Sequence, residues 1–198
     1  IVDIHQFMGN TPGNIHYQGR FKMSNISRIK KVSHKFRVMF SVLVILIPIA
    51  DVLFWVMFND LPRGENIILT EMDSNFDLQT RILLFAAGLV STGVAIYGVL
   101  TLARLFHLYE KGIVFSADNV RYYRNLGFCI IGWMITSFLA EPLNSLIISR
   151  NNPVGEHYIT VGFDQFDLFS LIIGSIVVLI SWVMDEGRKL EDQQVYTI

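Results

Sequence analysis

The chain has a single cysteine and little charge. Only 17% of its 198 residues are charged, and 16 basic and 17 acidic residues leave a net charge of −1. The lone Cys129 excludes an intrachain disulfide framework and any site built from several cysteines. The near-neutral balance excludes an overall basic field, so we expect no direct binding of nucleic acid. A water-soluble domain normally has about a quarter charged residues, so this composition argues against one.

Sequence motifs of known enzyme classes are also missing. The chain contains no Walker loop and no GxSxG, HExxH or CxxC motif. Its five histidines are scattered without the spacing of metal ligands. We therefore expect no cofactor, no metal site and no catalytic residues, and we predict that the chain is not an enzyme.

Long apolar runs dominate the sequence instead. A hydrocarbon core about 30 Å thick needs roughly 20 apolar residues in a helix. Four windows meet this requirement, at about residues 38–58, 82–103, 126–148 and 168–184. They are apolar on every side and lack the polar face that a helix of a soluble bundle keeps. The sequence therefore predicts an all-α integral membrane protein with four transmembrane helices.

The first 22 residues differ in character from the rest. They are rich in Gly, Asn, His and Gln and show no hydrophobic periodicity, whereas a basic, helix-compatible segment begins at Met23. We interpret residues 1–22 as a disordered leader or a non-native extension, with a native disordered tail as the alternative. The transmembrane domain is then predicted to occupy residues 23–198.

Basic residues collect on one side of the predicted membrane. Most Lys and Arg outside the spans precede the first span, lie between the second and third, or follow the fourth. The two remaining loops are mainly acidic. By the positive-inside rule, we predict that both termini and the middle loop are cytoplasmic.

Two acids lie inside the predicted spans, Asp51 and Glu141. At an offset of 90 residues their surroundings align, as do residues 76–78 with 166–168, which indicates two repeated helical hairpins. If the acids are paired, they form a polar site that binds a cation or shares a proton. Alternatively, each is protonated or hydrogen-bonded to a neighbouring helix and only fixes packing.

The second span has a ridge of small residues at Ala87, Ser91 and Ala95. Such ridges let helix backbones approach closely in a membrane, so we predict that this span is the central packing helix. Because oligomerisation faces look the same, the oligomeric state is left open.

The loop between the second and third spans predicts a compact turn. Gly112 is expected to end one helix in the left-handed conformation, and Ser116 is expected to cap the next. Phe115 lies between these caps. Its side chain is expected either to pack back onto the bundle or to be held for a partner.

The chain resembles a bacterial membrane family called domain of unknown function 2975. The resemblance rests on a G-x-x-F-S-x-x-N pattern and on an EG-x-x-L … TI tail, seen here at Gly112, Phe115, Ser116, Asn119, Glu186, Gly187, Leu190, Thr197 and Ile198. It implies a four-span protein of the bacterial plasma membrane over residues 23–198. It also implies a soluble partner, because family members often sit beside a small Cro-like helix-turn-helix regulator. It implies no established activity.

We therefore predict an uncharacterised membrane-embedded sensing or interaction protein. The lipid bilayer is its first partner, and a helix-turn-helix regulator is expected to bind the cytoplasmic turn and tail through Gly112, Phe115, Ser116, Asn119, Glu186 and Gly187. The alternative is a small transporter or an ion- or proton-binding protein that uses Asp51 and Glu141.

Overall fold

Four long helices build the part of the protein that the structure describes. The computed structural model describes residues 13–60, 76–150, 152–153 and 155–195, and within these ranges it describes the side chains of residues 27–190 and of Gln193. The helices are α1 (Gly13–Met57), α2 (Leu78–Lys111), α3 (Ala117–Ser149) and α4 (Gln165–Val195), and a 3-10 turn at Phe58–Asp60 follows α1. These described residues contain no strand. The prediction of an all-α fold is confirmed.

All four helices are long and apolar enough to cross a membrane. The qualifying stretches are Ser27–Asp60, Leu78–Lys111, Ala117–Ser149 and Gln165–Leu190. Each of them contains one of the four predicted spans and extends past it at both ends, because the flanking polar residues continue the helix. The chain is a multi-pass membrane protein.

The first helix begins inside the predicted leader. The α1 backbone is helical from Gly13, directly after Pro12 in the sequence. Proline blocks the continuation of a helix towards its amino end, which is consistent with this start. Residues 1–12 lie outside the described residues, and the origin of residues 1–22 stays a prediction.

The helices form an open row. Within the described part of the chain, α1 packs on α2, α2 on α3 and α3 on α4, and no other pair of long helices makes contact. Neighbours run antiparallel, as the α1–α2 contacts of His34 with Glu110 and of Asp51 with Thr92 illustrate. The two expected hairpins are therefore α1–α2 and α3–α4. They are joined side by side through α2 and α3, and the outer faces of α1 and α4 are apolar and exposed.

Two glycines form a close contact between α3 and α4. A Cβ atom added to Gly127 would lie 2.8 Å from the carbonyl oxygen of Gly174, and one added to Gly174 would lie 3.0 Å from that of Gly127. Backbone therefore meets backbone at these two glycines, as small residues allow inside a membrane. In α2, the buried glycine is Gly98, whose added Cβ would lie 3.5 Å from that of Cys129 on α3.

The two ends of the bundle are named by the connections they carry. We call the end with the α2–α3 turn (residues 112–116) the turn end, and the opposite end the loop end. At the loop end Asp77 caps α2 by accepting a hydrogen bond from the Thr80 N–H at 3.2 Å. Hydrogen bonding from Thr80 lowers the pKa of the Asp77 carboxyl below its ordinary value. The start of α2 is thus fixed at the loop end.

Candidate functional site

The structure does not bring the two intramembrane acids together. Asp51 lies on α1 and accepts a hydrogen bond from the Thr92 hydroxyl of α2 at 3.0 Å. Glu141 lies on α3, which makes no contact with α1 over the described ranges. The offset of 90 residues predicts a common depth for the acids but not the lateral order of the helices, and α2 separates α1 from α3. For Asp51, the geometry is the one expected of a packing role.

Glu141 binds the chain that returns to α4. We call residues 157–163 the return segment. The Glu141 carboxylate accepts a hydrogen bond from the Gly162 N–H at 2.9 Å, and the Ser145 hydroxyl accepts one from the Thr160 N–H at 3.0 Å. The Ser149 hydroxyl donates to the Tyr158 carbonyl at 3.2 Å. The polar face of α3 therefore supplies partners for the backbone of the return segment.

The spacing of these contacts explains the shape of the return segment. The three α3 residues are four positions apart, and their partners are two positions apart in reverse order. Four helical residues rise about 6 Å, and two extended residues rise about 6.6 Å. The periods match, so an extended chain can follow one helix face while alternate residues point towards it. Glu141 is thus the deepest of three anchoring side chains.

The return segment lies at the depth of the predicted third span. Glu141 and Ser145 belong to the predicted third span, and the segment packs beside them. Its apolar residues Ile159, Val161 and Phe163 are more than half exposed, and the Phe163 ring also contacts Phe138 of α3 edge to face. A backbone at this depth needs internal hydrogen-bond partners, which the α3 side chains supply. Sequence reasoning missed this feature, although the alternation of apolar and other residues in HYITVGF was a signal for it.

We expect Glu141→Leu to release the carboxyl-terminal half of the return segment. Loss of this hydrogen bond exposes the Gly162 amide, and exchange there should accelerate about tenfold. Hydrogen–deuterium exchange mass spectrometry on peptides covering residues 157–163 measures this. Asp51→Leu is the matched control and should leave that exchange unchanged. Equal acceleration in both variants would show that the acids act as a coupled pair after all.

The α2–α3 turn has the predicted caps. Gly112 adopts φ +86°, in the left-handed region, and its N–H bonds to the Tyr109 carbonyl at 2.9 Å. Ser116 caps α3 by accepting a hydrogen bond from the Asn119 N–H at 3.3 Å. Both capping predictions are confirmed. The first and third elements of the G-x-x-F-S-x-x-N pattern are therefore helix caps.

Asn119 holds the turn closed from inside. Its side chain is fully buried and its Nδ2 donates to the carbonyls of Ile113 and Val114, at 3.0 and 2.6 Å. One amide group thus binds two carbonyls of the turn, which lie beyond Lys111, the last residue of α2. The fourth element of the pattern is a structural clamp.

Phe115 does not pack back onto the bundle. Its side chain is 71% exposed at the tip of the turn, and the neighbouring Ile113 is 41% exposed. Of the two expected outcomes for this side chain, the structure therefore has the exposed one. The exposed apolar tip contrasts with the buried clamp that fixes it.

The tail continues α4 as a helix to Val195. Asp185 forms ion pairs with Lys189 at 2.9 Å and with Arg188 at 3.2 Å, spacings that support a solvent-facing helix. Glu186 and Gly187 are exposed, and nothing lies within 4 Å of a Cβ added to Gly187. The final Thr197 and Ile198 lie outside the described residues.

The tail projects past the turn. Ala117 and Met184 are each ten residues from the Gly127–Gly174 contact, and so lie at similar heights on antiparallel helices. Residues 185–195 therefore extend about 16 Å beyond the start of α3. The predicted interaction residues of the turn and of the tail are consequently at the same end of the molecule.

A polar cluster between α1 and α2 was not predicted. The Glu110 carboxylate lies 2.8 Å from His34 Nδ1 and 3.1 Å from Arg37 Nε, and Arg37 Nη1 donates to His107 Nδ1 at 3.0 Å. The two histidines are far apart in sequence and lack ligand spacing, so no local pattern joins them. A signal was nevertheless present in the sequence: α1 and α2 each carry a polar pair, His34 with Arg37 and His107 with Glu110, at ends that an antiparallel hairpin brings together.

Comparison with known proteins identifies one family and no characterised relative. No curated protein and no solved structure matches the chain. The sequence pattern of the family described as "Protein of unknown function (DUF2975)" matches residues 70–198. The match includes α2, α3 and α4 and starts later than the resemblance over residues 23–198 had implied. As it covers more than half of the sequence, the chain belongs to the DUF2975 family.

Proposed function

We propose that the chain is a membrane-embedded interaction protein, and not an enzyme, that presents its turn end to a soluble partner. The observation that carries this proposal is Phe115, 71% exposed on a turn that the fully buried Asn119 fixes. Exposure of a large apolar side chain to water is unfavourable. Because the turn that carries it is already rigid, little conformational entropy is lost when a partner binds. This combination is typical of an interaction residue.

The α4 extension provides a second part of the surface. It projects past the turn and carries both signs of charge, from Asp185 and Glu186 to Arg188 and Lys189. Protein interfaces commonly surround an apolar centre with a polar rim. The partner we propose is the small helix-turn-helix regulator that the family resemblance implies, with binding that reports the state of the membrane protein to the regulator.

The proposed partner requires a cytoplasmic turn end in a bacterial plasma membrane. The distribution of Lys and Arg supports this orientation. We expect a cysteine introduced at the exposed Asp118 to be protected from an impermeant thiol reagent in intact cells, and one at Glu156 to react. The natural Cys129 is buried, so it gives a low background. The reverse labelling pattern would invert the orientation and exclude a cytoplasmic partner.

We expect Phe115→Ser to abolish recovery of the co-expressed regulator without changing the thermal stability of the membrane protein. The side chain makes few contacts within the chain, so its loss removes binding area only. Phe166→Ser is the matched control, because Phe166 is 76% exposed at the loop end. Affinity purification through the membrane protein, with unfolding of the same sample, measures both quantities. Normal recovery with Phe115→Ser would remove the proposed function.

The transporter hypothesis has less support. It requires Asp51 and Glu141 in one site, whereas the described parts of α1 and α3, which carry them, make no contact, and each acid has a different hydrogen-bond partner. Over the described residues, no group of three or more His, Cys, Asp or Glu side chains is placed to hold a metal ion. We therefore place the interaction function first.

A further inference from the structure

A cleft opens between α1 and α3 at the turn end, and α2 forms its floor. It has a volume of about 320 Å³. Its polar lining consists of Arg37 and Ser41 from α1, Arg104 and His107 from α2, and Tyr122 from α3. The cleft exists because α1 and α3 pack on α2 without touching each other. It is separate from the Phe115 tip.

Arg104 is the most informative of these residues. Among the described residues it has no ion-pair or hydrogen-bond partner, in contrast to Arg37, which contacts Glu110 and His107. Arg104 lies two turns before the end of α2, about 10 Å along the helix axis. A cation at that depth in a spanning helix is costly unless it reaches polar groups at the membrane surface or an anion.

The polarity of the cleft changes with depth. Arg37 and His107 lie nearer the end of the bundle, whereas Leu100 and Ala103 lie deeper. Because a guanidinium can only donate, His107 Nδ1 must accept from Arg37, which leaves the ring proton on Nε2 as a further donor. The Ser41 hydroxyl donates to the Arg37 carbonyl at 2.8 Å, so the donors that the cleft offers to a ligand are Arg104, the His107 ring N–H and the Tyr122 hydroxyl, beside an apolar floor.

We propose that this cleft binds the phosphate headgroup of an anionic phospholipid, with Arg104 contacting the phosphate and an acyl chain lying on Leu100 and Ala103. Three observations carry the proposal: the unpaired Arg104, the donors around it, and the apolar surface on the side that faces the bilayer centre. Basic pockets between spanning helices recognise anionic headgroups through this chemistry. A free phosphate would satisfy the donors but would leave the apolar floor unused.

Native mass spectrometry tests the proposal on the purified full chain. Phosphatidylglycerol should remain bound through delipidation steps that remove phosphatidylcholine. Arg104→Gln should weaken phosphatidylglycerol binding by roughly tenfold or more, because a charge-assisted contact is lost, and Arg104→Lys should restore most of it. Arg124→Gln is the matched control: it removes the same charge at the same end, from a residue that does not line the cleft. It should leave binding unchanged.

A second variant tests the apolar floor without altering charge. Ala103→Phe should fill the cleft and reduce phosphatidylglycerol binding while leaving the protein folded. Inorganic phosphate and glycerol phosphate, added at concentrations matched to the lipid, should not compete. Equal losses with Arg104→Gln and Arg124→Gln would overturn the proposal in favour of a general surface charge effect. Competition by inorganic phosphate would contradict the assignment of a phospholipid and identify a free anion as the ligand.

Discussion

Gly127→Ala is expected to separate α3 from α4. The new Cβ would lie 2.6 Å from Val178 Cγ2 and 2.8 Å from the Gly174 carbonyl oxygen. The side chain could adjust, but the carbonyl belongs to a helix backbone and cannot move alone. Overpacking at such a site costs about 1–3 kcal/mol, and more where backbone must shift. Thermal unfolding of the protein in detergent should therefore show a large loss of stability.

Gly93→Ala is the matched control for this prediction. It makes the same chemical change in the middle of α2, where nothing lies within 4 Å of the added Cβ. Alanine is also the better helix former, by about 1 kcal/mol in helix interiors. Gly93→Ala should therefore unfold at the same temperature as the unaltered chain or slightly higher. Equal destabilisation by both substitutions would contradict the close α3–α4 contact.

Asn119→Ala is expected to loosen the turn and lower the stability of the protein. The substitution leaves the carbonyls of Ile113 and Val114 without the donor that now serves both. An unsatisfied buried polar group costs about 1–3 kcal/mol. Hydrogen exchange over residues 112–116 should accelerate, and thermal unfolding should occur earlier. The neighbouring Asp118→Ala, at an exposed position, should have little effect.

The two turn variants are distinguished by their effect on stability. Asn119→Ala should lower both stability and recovery of the partner, because the clamp fixes the surface that the partner binds. Phe115→Ser should lower recovery alone. If Asn119→Ala unfolded like the unaltered chain, the buried amide would not be the clamp that its two hydrogen bonds indicate.

Local patterns predicted the parts of the structure that depend on neighbours in sequence. Apolar windows located the four spans because bilayer thickness sets their length. Gly112 and Ser116 were recognisable as caps because left-handed backbone and amino-terminal capping favour these residue types. No comparable pattern sets which apolar helix packs beside which. Sequence patterns therefore could not predict that Asp51 and Glu141 lie on helices that do not contact each other.

The close helix contact illustrates the same limit. The ridge of Ala87, Ser91 and Ala95 indicated α2 as the packing helix, and α2 does contact both α1 and α3. The glycines that leave no room for a Cβ atom, however, are Gly127 and Gly174 in the other hairpin. Small residues permit close approach but do not require it, so several candidate ridges coexist in one sequence. Only the three-dimensional arrangement distinguishes among them.

The open row of helices affects the order in which the helices can pack during synthesis. Over the described residues each helix packs only on its neighbours in the chain, so every helix after the first can pack on a partner that has already been synthesised. Contacts between neighbours in sequence also favour fast assembly, because little loop closure is required. In a closed bundle the first helix also packs on the last, so part of its surface would stay without a partner until the last helix had been synthesised. Here biosynthesis can proceed helix by helix, with no exposed interface reserved for a segment that is still to be translated.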